Sequence, residues 1–242
     1  MANLVLVHAF PVDASMWDEQ VGALGSEVDH MVAPNLPGFG GTPGVGDVMR
    51  MEAAADHVVA EMDRAGIDRA AVVGVSMGGY VAFAMWARNR DRFAALGLAD
   101  SRAEPDDDAG RERRRQVAEK ARTEGSGAIA ESPPPLLSEG ADPALWDRVR
   151  EMIRRQPGES IAAASLGLGE RADARPLLAG IDVPTTVIVG SADMLTPPPM
   201  SEAMAEAIPG AELVVLDGAG HLSNLEDPQG FTDAARSLLR RA

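Results

Sequence analysis

The sequence predicts an α/β protein: a parallel sheet with helices between its strands. Three observations predict it. Six short runs rich in valine and leucine recur along the 242 residues: Leu4–Val7, Val28–Val32, Ala70–Val75, Ala94–Ala99, Thr185–Val189 and Leu213–Leu216. Several are apolar at consecutive positions, as strands covered on both faces must be. Helical spacing fills most of the intervals, and strand–helix alternation calls for right-handed crossovers between parallel strands.

The elements follow in order. Met51–Ala65 carries apolar residues at helical spacing and stops at Gly66, a C-cap residue. Gly79–Arg88 is alanine-rich and aromatic, Pro199–Ile208 ends at Pro209–Gly210, and Pro228–Arg241 closes the chain. The alternation breaks between residues 102 and 176. That stretch has no strand-like run, a dense charge block at Arg111–Arg122, a Pro133–Pro134–Pro135 interruption, and two further helical patterns at Leu145–Arg155 and Ile161–Ala172. Residues 102–176 are therefore expected to be a helical cap on a core of residues 1–101 and 177–242. It would lie over the carboxyl ends of the strands, where open α/β sheets hold their sites. The plainer reading is surface helices, since charge runs are usually solvated faces.

Composition narrows the chemistry. With no cysteine, disulfides, thiolate zinc sites and a cysteine nucleophile are excluded. A formal net charge of −15 argues against nucleic acid or an anionic membrane as partner. Lys120 is the single lysine among 22 basic residues, which reads as codon bias or surface preference and carries no mechanism. No run approaches the roughly 20 apolar residues of a membrane span. Leu4–Val7 has no basic leader and is too short for a signal peptide, so a cytoplasmic location is expected.

The most informative stretch is Ala71-Val72-Val73-Gly74-Val75-Ser76-Met77-Gly78-Gly79-Tyr80: an apolar strand, Gly-x-Ser-x-Gly, then a helix. Such a serine sits on a sharp, strained turn that lifts its hydroxyl above the sheet. Side chains two residues to either side would collide with neighbouring backbone, hence Gly74 and Gly78. The turn also places the serine at a helix N-terminus, which favours a developing anion. Gly-x-Ser-x-Gly alone is weak in a chain with 25 glycines; its strand and helix flanks give it weight.

A serine hydroxyl needs a base and a group orienting that base. Of the four histidines, His57 falls in a helix and His30 near the second strand, and both read as structural. His221 follows the last strand in Gly218-Ala219-Gly220-His221, a loop able to reach back over Ser76. The acid should lie between serine and histidine in the chain. Asp193, in the turn after the penultimate strand, is the favoured candidate, and Asp100, at the end of Ala94–Ala99, is its rival. Backbone N–H groups should hold an oxyanion. Met77 follows the nucleophile, and Phe10 is the second candidate, since Pro11 has no N–H. His8 is expected to hold that loop by hydrogen bonds.

These stretches, with Asn35-Leu36-Pro37-Gly38-Phe39-Gly40 and Thr42-Pro43, resemble the α/β-hydrolase fold family over essentially the whole chain, in family order and spacing. The sequence is similar to small bacterial carboxylesterases and 3-oxoadipate enol-lactonase-like enzymes. The resemblance implies Ser76, Asp193 and His221 as a triad, with Phe10 and Met77 as oxyanion donors. It also implies a six-stranded, wholly parallel sheet, with Leu4–Val7 at the place of the family's third strand. Where the family reads His-Gly, this chain reads His8-Ala9. The implied activity is serine hydrolysis of a small-molecule carboxylic ester or lactone, with no cofactor or metal; the histidines show no His-Glu-x-x-His spacing. A cofactor-free perhydrolase or haloperoxidase on the same triad is one alternative, and a non-catalytic small-molecule binder is another. Leu136, Leu137, Trp146, Ile153, Leu166 and Leu168 suggest an apolar acyl site, or else the packing of the cap helices. Met16, Trp17 and Phe39 fit either an entrance or the core.

Overall fold

The computed structural model describes residues 2–242. Six strands form one sheet in the order β2-β1-β3-β4-β5-β6, every pair parallel. They are β1 (Leu4–Val7), β2 (Met31–Val32), β3 (Ala70–Val75), β4 (Phe93–Ala99), β5 (Thr185–Gly190) and β6 (Glu212–Leu216). All residues of β1, β3 and β5 are buried, as their consecutive apolar residues require. The edges differ. β6 leaves Leu213 and Val215 exposed. β2 is only two residues long against the five of the run Val28–Val32: Asp29 and His30 are exposed, and although Asp29 N–H reaches the Ala2 carbonyl at 3.2 Å and the His30 carbonyl takes Leu4 N–H at 2.9 Å, regular strand begins only at Met31.

Helices connect the strands. α1 (Asp18–Leu24) follows β1; α2 (Met51–Arg64) and α3 (Met77–Arg88) flank β3 in sequence; α8 (Pro198–Ala207) links β5 to β6. After β6 come a short α9 (Ser223–Glu226) and α10 (Pro228–Leu239). The expected helices all form within a few residues of their predicted ends; α1 and α9 had no sequence signal. Trp17 packs on Phe231 of α10 at 5.6 Å between ring centroids, so with Met16 it belongs to the core. Phe39 is also fully buried, edge-on to His8 at 5.3 Å.

Between β4 and β5 the chain runs through α4 (Asp108–Glu131), α5 (Pro143–Arg154), α6 (Gly158–Gly169) and the short α7 (Arg175–Leu178). α4 is broken at Gly125, whose φ is 81°. Leu137, Val149, Ile153 and Ile161 are buried among these helices, so part of the apolar set there serves packing.

The strand order reverses direction between β1 and β3: the chain leaves β1 for β2, then crosses back to β3. Crevices at such switch points, outside the carboxyl ends of the strands, are where α/β sheets bind ligands. The two loops that open there are the one after β1, carrying His8 to Pro11, and the turn after β3, carrying Ser76.

Candidate active site

Ser76 joins β3 to α3 with φ 52° and ψ −113°, a backbone region that costs a non-glycine residue energy and persists only where surroundings impose it. They do so here. The Ser76 N–H donates to the Ala99 carbonyl at 2.8 Å, and the Ser101 hydroxyl donates to the Ser76 carbonyl at 3.0 Å. A Cβ on Gly74 would lie 2.2 Å from the Gly78 carbonyl carbon, and one on Gly78 would lie 2.0 Å from the Val7 carbonyl oxygen. The start of α3 is thus pressed onto the end of β1, which brings Met77 beside the loop of Phe10.

Ser76, His221 and Asp193 meet although they are far apart in the chain. The Ser76 hydroxyl is 2.8 Å from His221 Nε2, and His221 Nδ1 is 2.8 Å from Asp193 Oδ2. All three are buried. Asp193 Oδ1 accepts the N–H groups of Leu195 and Thr196 at 2.7 and 2.9 Å, and Oδ2 accepts the Thr196 hydroxyl at 2.6 Å. Burial pushes this carboxyl up, but the hydrogen bond and charge of His221 and the Thr196 donors outweigh it and hold it below the usual carboxylate range. An ionised Asp193 fixes the proton on Nδ1, leaving Nε2 to accept from Ser76. Thr196 was missed in the sequence; the Asp193-to-Thr196 spacing of an Asx turn was the available signal.

Asp100 does not face the imidazole in this way. Its φ is 45°, it is fully buried, and it accepts from Gly190 N at 2.9 Å and from Ser223 N and Oγ at 3.2 and 2.5 Å. It therefore ties the ends of β4 and β5 to the segment after His221. Burial pushes its carboxyl up to about 7; His221 opposes that rise, while the Asp193 charge adds to it. Glu226 anchors the histidine loop from the other side, accepting from Gly220 N at 2.6 Å and from the Ser138 hydroxyl at 2.5 Å.

The β1 loop is held by His8, as expected. Its Nδ1–H donates to the Ala9 carbonyl at 2.9 Å, and Nε2 accepts the Leu36 N–H at 2.9 Å. Those two bonds need the neutral ring, and complete burial lowers its pKa from 6.5 to about 4, the Ala9 bond only partly opposing. The unfolded chain takes up this proton first, so His8 makes stability fall as pH drops from about 6.5 to about 4, by about 3 kcal/mol. Asp100 acts in the opposite sense over nearly the same window, its raised pKa lowering stability as pH rises. The measurable quantity is thus the difference in unfolding free energy between wild type and His8→Asn, which does not titrate. It should shrink by about 3 kcal/mol from pH 7 to pH 4. A constant difference would show that His8 is not buried neutral. The other histidines stand apart: His57 is half-buried with Nε2 3.0 Å from the Asn35 carbonyl, and His30 is exposed.

Among the described residues, no hydrogen bond takes the N–H of Phe10 or of Met77. A cavity of about 430 Å³ opens over Ser76 and His221, bounded by Phe10, Tyr80 and Thr196 on the sheet side and by α4 and the 129–136 segment above. Leu136 and Leu168 line it, with Val117, Ile129 and Leu195, whereas Leu137, Trp146, Ile153 and Leu166 do not. The cavity is not simply apolar: Arg102, Asp106, Arg113, Arg114 and Lys120 also reach it. For the α4 members a local signal was present in the sequence, since Gly110, Arg113, Arg114, Val117 and Lys120 share one face at helical spacing; Arg102 and Asp106, which precede the helix, had none.

Residues 2–228 match the alpha/beta hydrolase fold family. The chain belongs to that family. Among alpha/beta hydrolases, a pimeloyl-[acyl-carrier protein] methyl ester esterase of Neisseria meningitidis is 30% identical over 246 residues, covering 98% of this chain and 93% of the relative. A thermophilic esterase from Thermogutta terrifontis, solved with malate bound, superposes with a TM-score of 0.95 at 42% identity, covering 99% of this chain and 90% of that one. The enol-lactonase from Burkholderia xenovorans LB400 gives 0.90 at 30% identity, covering 99% and 91%. These relatives support hydrolysis of an ester or lactone. No helix of the described residues is long and apolar enough to cross a membrane.

Proposed function

We propose that this alpha/beta hydrolase is a serine hydrolase cleaving a small carboxylic ester or lactone through an acyl-enzyme. The observation that carries the reading is the relay Ser76–His221–Asp193, with both links at 2.8 Å. Ser76 attacks the carbonyl carbon while His221 Nε2 takes its proton. Asp193 holds the imidazole in the required tautomer and stabilises the imidazolium. The free N–H groups of Phe10 and Met77 hold the oxyanion, the second aided by its place at the start of α3. His221 returns the proton to the leaving alkoxide. Water, deprotonated by the same imidazole, then releases the acid and restores Ser76. In this reading residues 102–176 are a cap that closes the cavity over a core of residues 1–101 and 177–242.

Turnover of p-nitrophenyl acetate and of a simple enol-lactone tests the proposal. The expected result is saturable hydrolysis without added metal. A parallel assay with acetate, peroxide and bromide separates the perhydrolase alternative, in which peroxide replaces water at the acyl-enzyme. Absence of turnover in folded protein would favour a small-molecule binder.

A further inference from the structure

The arginines of α4 divide into two groups. Those facing away from the cavity are each paired with a carboxylate: Arg111 with Asp108, Arg115 with Glu112, Arg122 with Glu159. Arg114, inside, pairs with Asp106, which is buried and also receives Arg102 and Arg171. Burial pushes Asp106 up, but the charges and hydrogen bonds of Arg114 and Arg171 outweigh it and hold it below the usual range, so that one carboxylate is fully engaged. Arg113 and Lys120 remain. They lie seven residues apart, two helical turns on one face, and both line the cavity that contains Ser76 and His221, Lys120 half-buried and Arg113 exposed. Among the described residues neither has an ion-pair partner.

This placement runs against the composition. The chain carries 37 acidic residues to 22 basic ones, and its one lysine stands at this cavity. An acidic surface offers partners for cations nearly everywhere, yet four cations and a single carboxylate reach this space. Val117 lies between the two free cations on α4, and Ile129, Leu136 and Leu168 complete an apolar stretch. A molecule filling such a cavity has an ester carbonyl at Ser76, a short apolar spacer, and an anion at α4.

Resting on the serine-hydrolase reading above, we infer that Arg113 and Lys120 form a carboxylate subsite, and that the substrate is an ester or lactone bearing a free carboxylate on its acyl part. Arg113 offers a planar fork suited to a carboxylate, and Lys120 a point charge. The contact is remote from the reacting bond and is equal in ground and transition states, so its loss should fall on KM.

The test compares the anionic mono-p-nitrophenyl ester of adipic acid with p-nitrophenyl hexanoate, which has the same six-carbon acyl length but a methyl terminus. Wild type should prefer the anionic ester by about tenfold or more in kcat/KM. In the double variant Arg113→Leu, Lys120→Met the ratio should fall to near one through KM, while Lys120→Arg should retain most of the preference. Equal turnover of the two esters by wild type, or a ratio unchanged in the double variant, overturns the subsite and leaves the hydrolase reading intact. Turnover of neither ester overturns both together.

Discussion

Replacing Ser76 with alanine should lower kcat for p-nitrophenyl acetate by on the order of 10⁶ with the fold unchanged. The change removes one oxygen. The backbone bonds that impose the turn, Ser76 N–H to Ala99 and Ser101 to the Ser76 carbonyl, do not use the side chain. His221→Ala should cost about as much, because the hydroxyl is not a nucleophile without a base. The double variant should be no worse than either single one, since the residues act as a unit. Asp193→Asn should cost about 10⁴: the amide can donate to Nδ1, leaving the proton on Nε2, the wrong tautomer for accepting from Ser76. What remains in each variant reflects the Phe10 and Met77 donors and substrate binding. Steady-state rates with far-UV circular dichroism on each variant check the set. A loss of tenfold or less in Ser76→Ala would remove the serine from the mechanism.

Gly78→Ala should destabilise the protein by about 4 kcal/mol or more, enough to unfold many domains. The added methyl would sit 2.0 Å from the Val7 carbonyl oxygen and 2.7 Å from its carbon. Both are backbone atoms of a buried strand paired on both edges, so no rotamer change relieves the overlap. Relief requires separating α3 from β1, which breaks the contact that puts Met77 beside the Phe10 loop. Activity should fall before global unfolding does. Gly22→Ala is the matched control. It lies on the exposed side of α1 with nothing within 4 Å of the new Cβ, and should gain about 0.5–1 kcal/mol from helix propensity. Urea midpoints of the two variants check this.

The parallel sheet and its flanking helices were legible because burial on both faces writes itself into consecutive apolar residues, as in Ala70–Val75. β2 was overextended because regular pairing at this sheet edge starts only at Met31, after the exposed Asp29 and His30, and apolar content does not reveal where a ladder begins. The nucleophile turn was legible because two backbone collisions force glycine at fixed offsets. Asp193 was favoured over Asp100 in the sequence, but both follow strands; the Nδ1 contact of one and the Gly190 and Ser223 bonds of the other are set by three-dimensional packing. Glu226 was hidden for a related reason, while Thr196 and the cationic lining of α4 left only local signals, an Asx spacing and a shared helix face, that do not say what they meet. Arg113 and Arg115 have the same chemistry in sequence and both are exposed; only the fold shows that the first lines the cavity while the second pairs with Glu112.

The most direct test of the account is intact-protein mass spectrometry after incubation with a fluorophosphonate, followed by peptide mapping. The account predicts a single adduct, on Ser76, absent in Ser76→Ala and strongly slowed in His221→Ala. No adduct on folded protein, or an adduct on another residue, would contradict it.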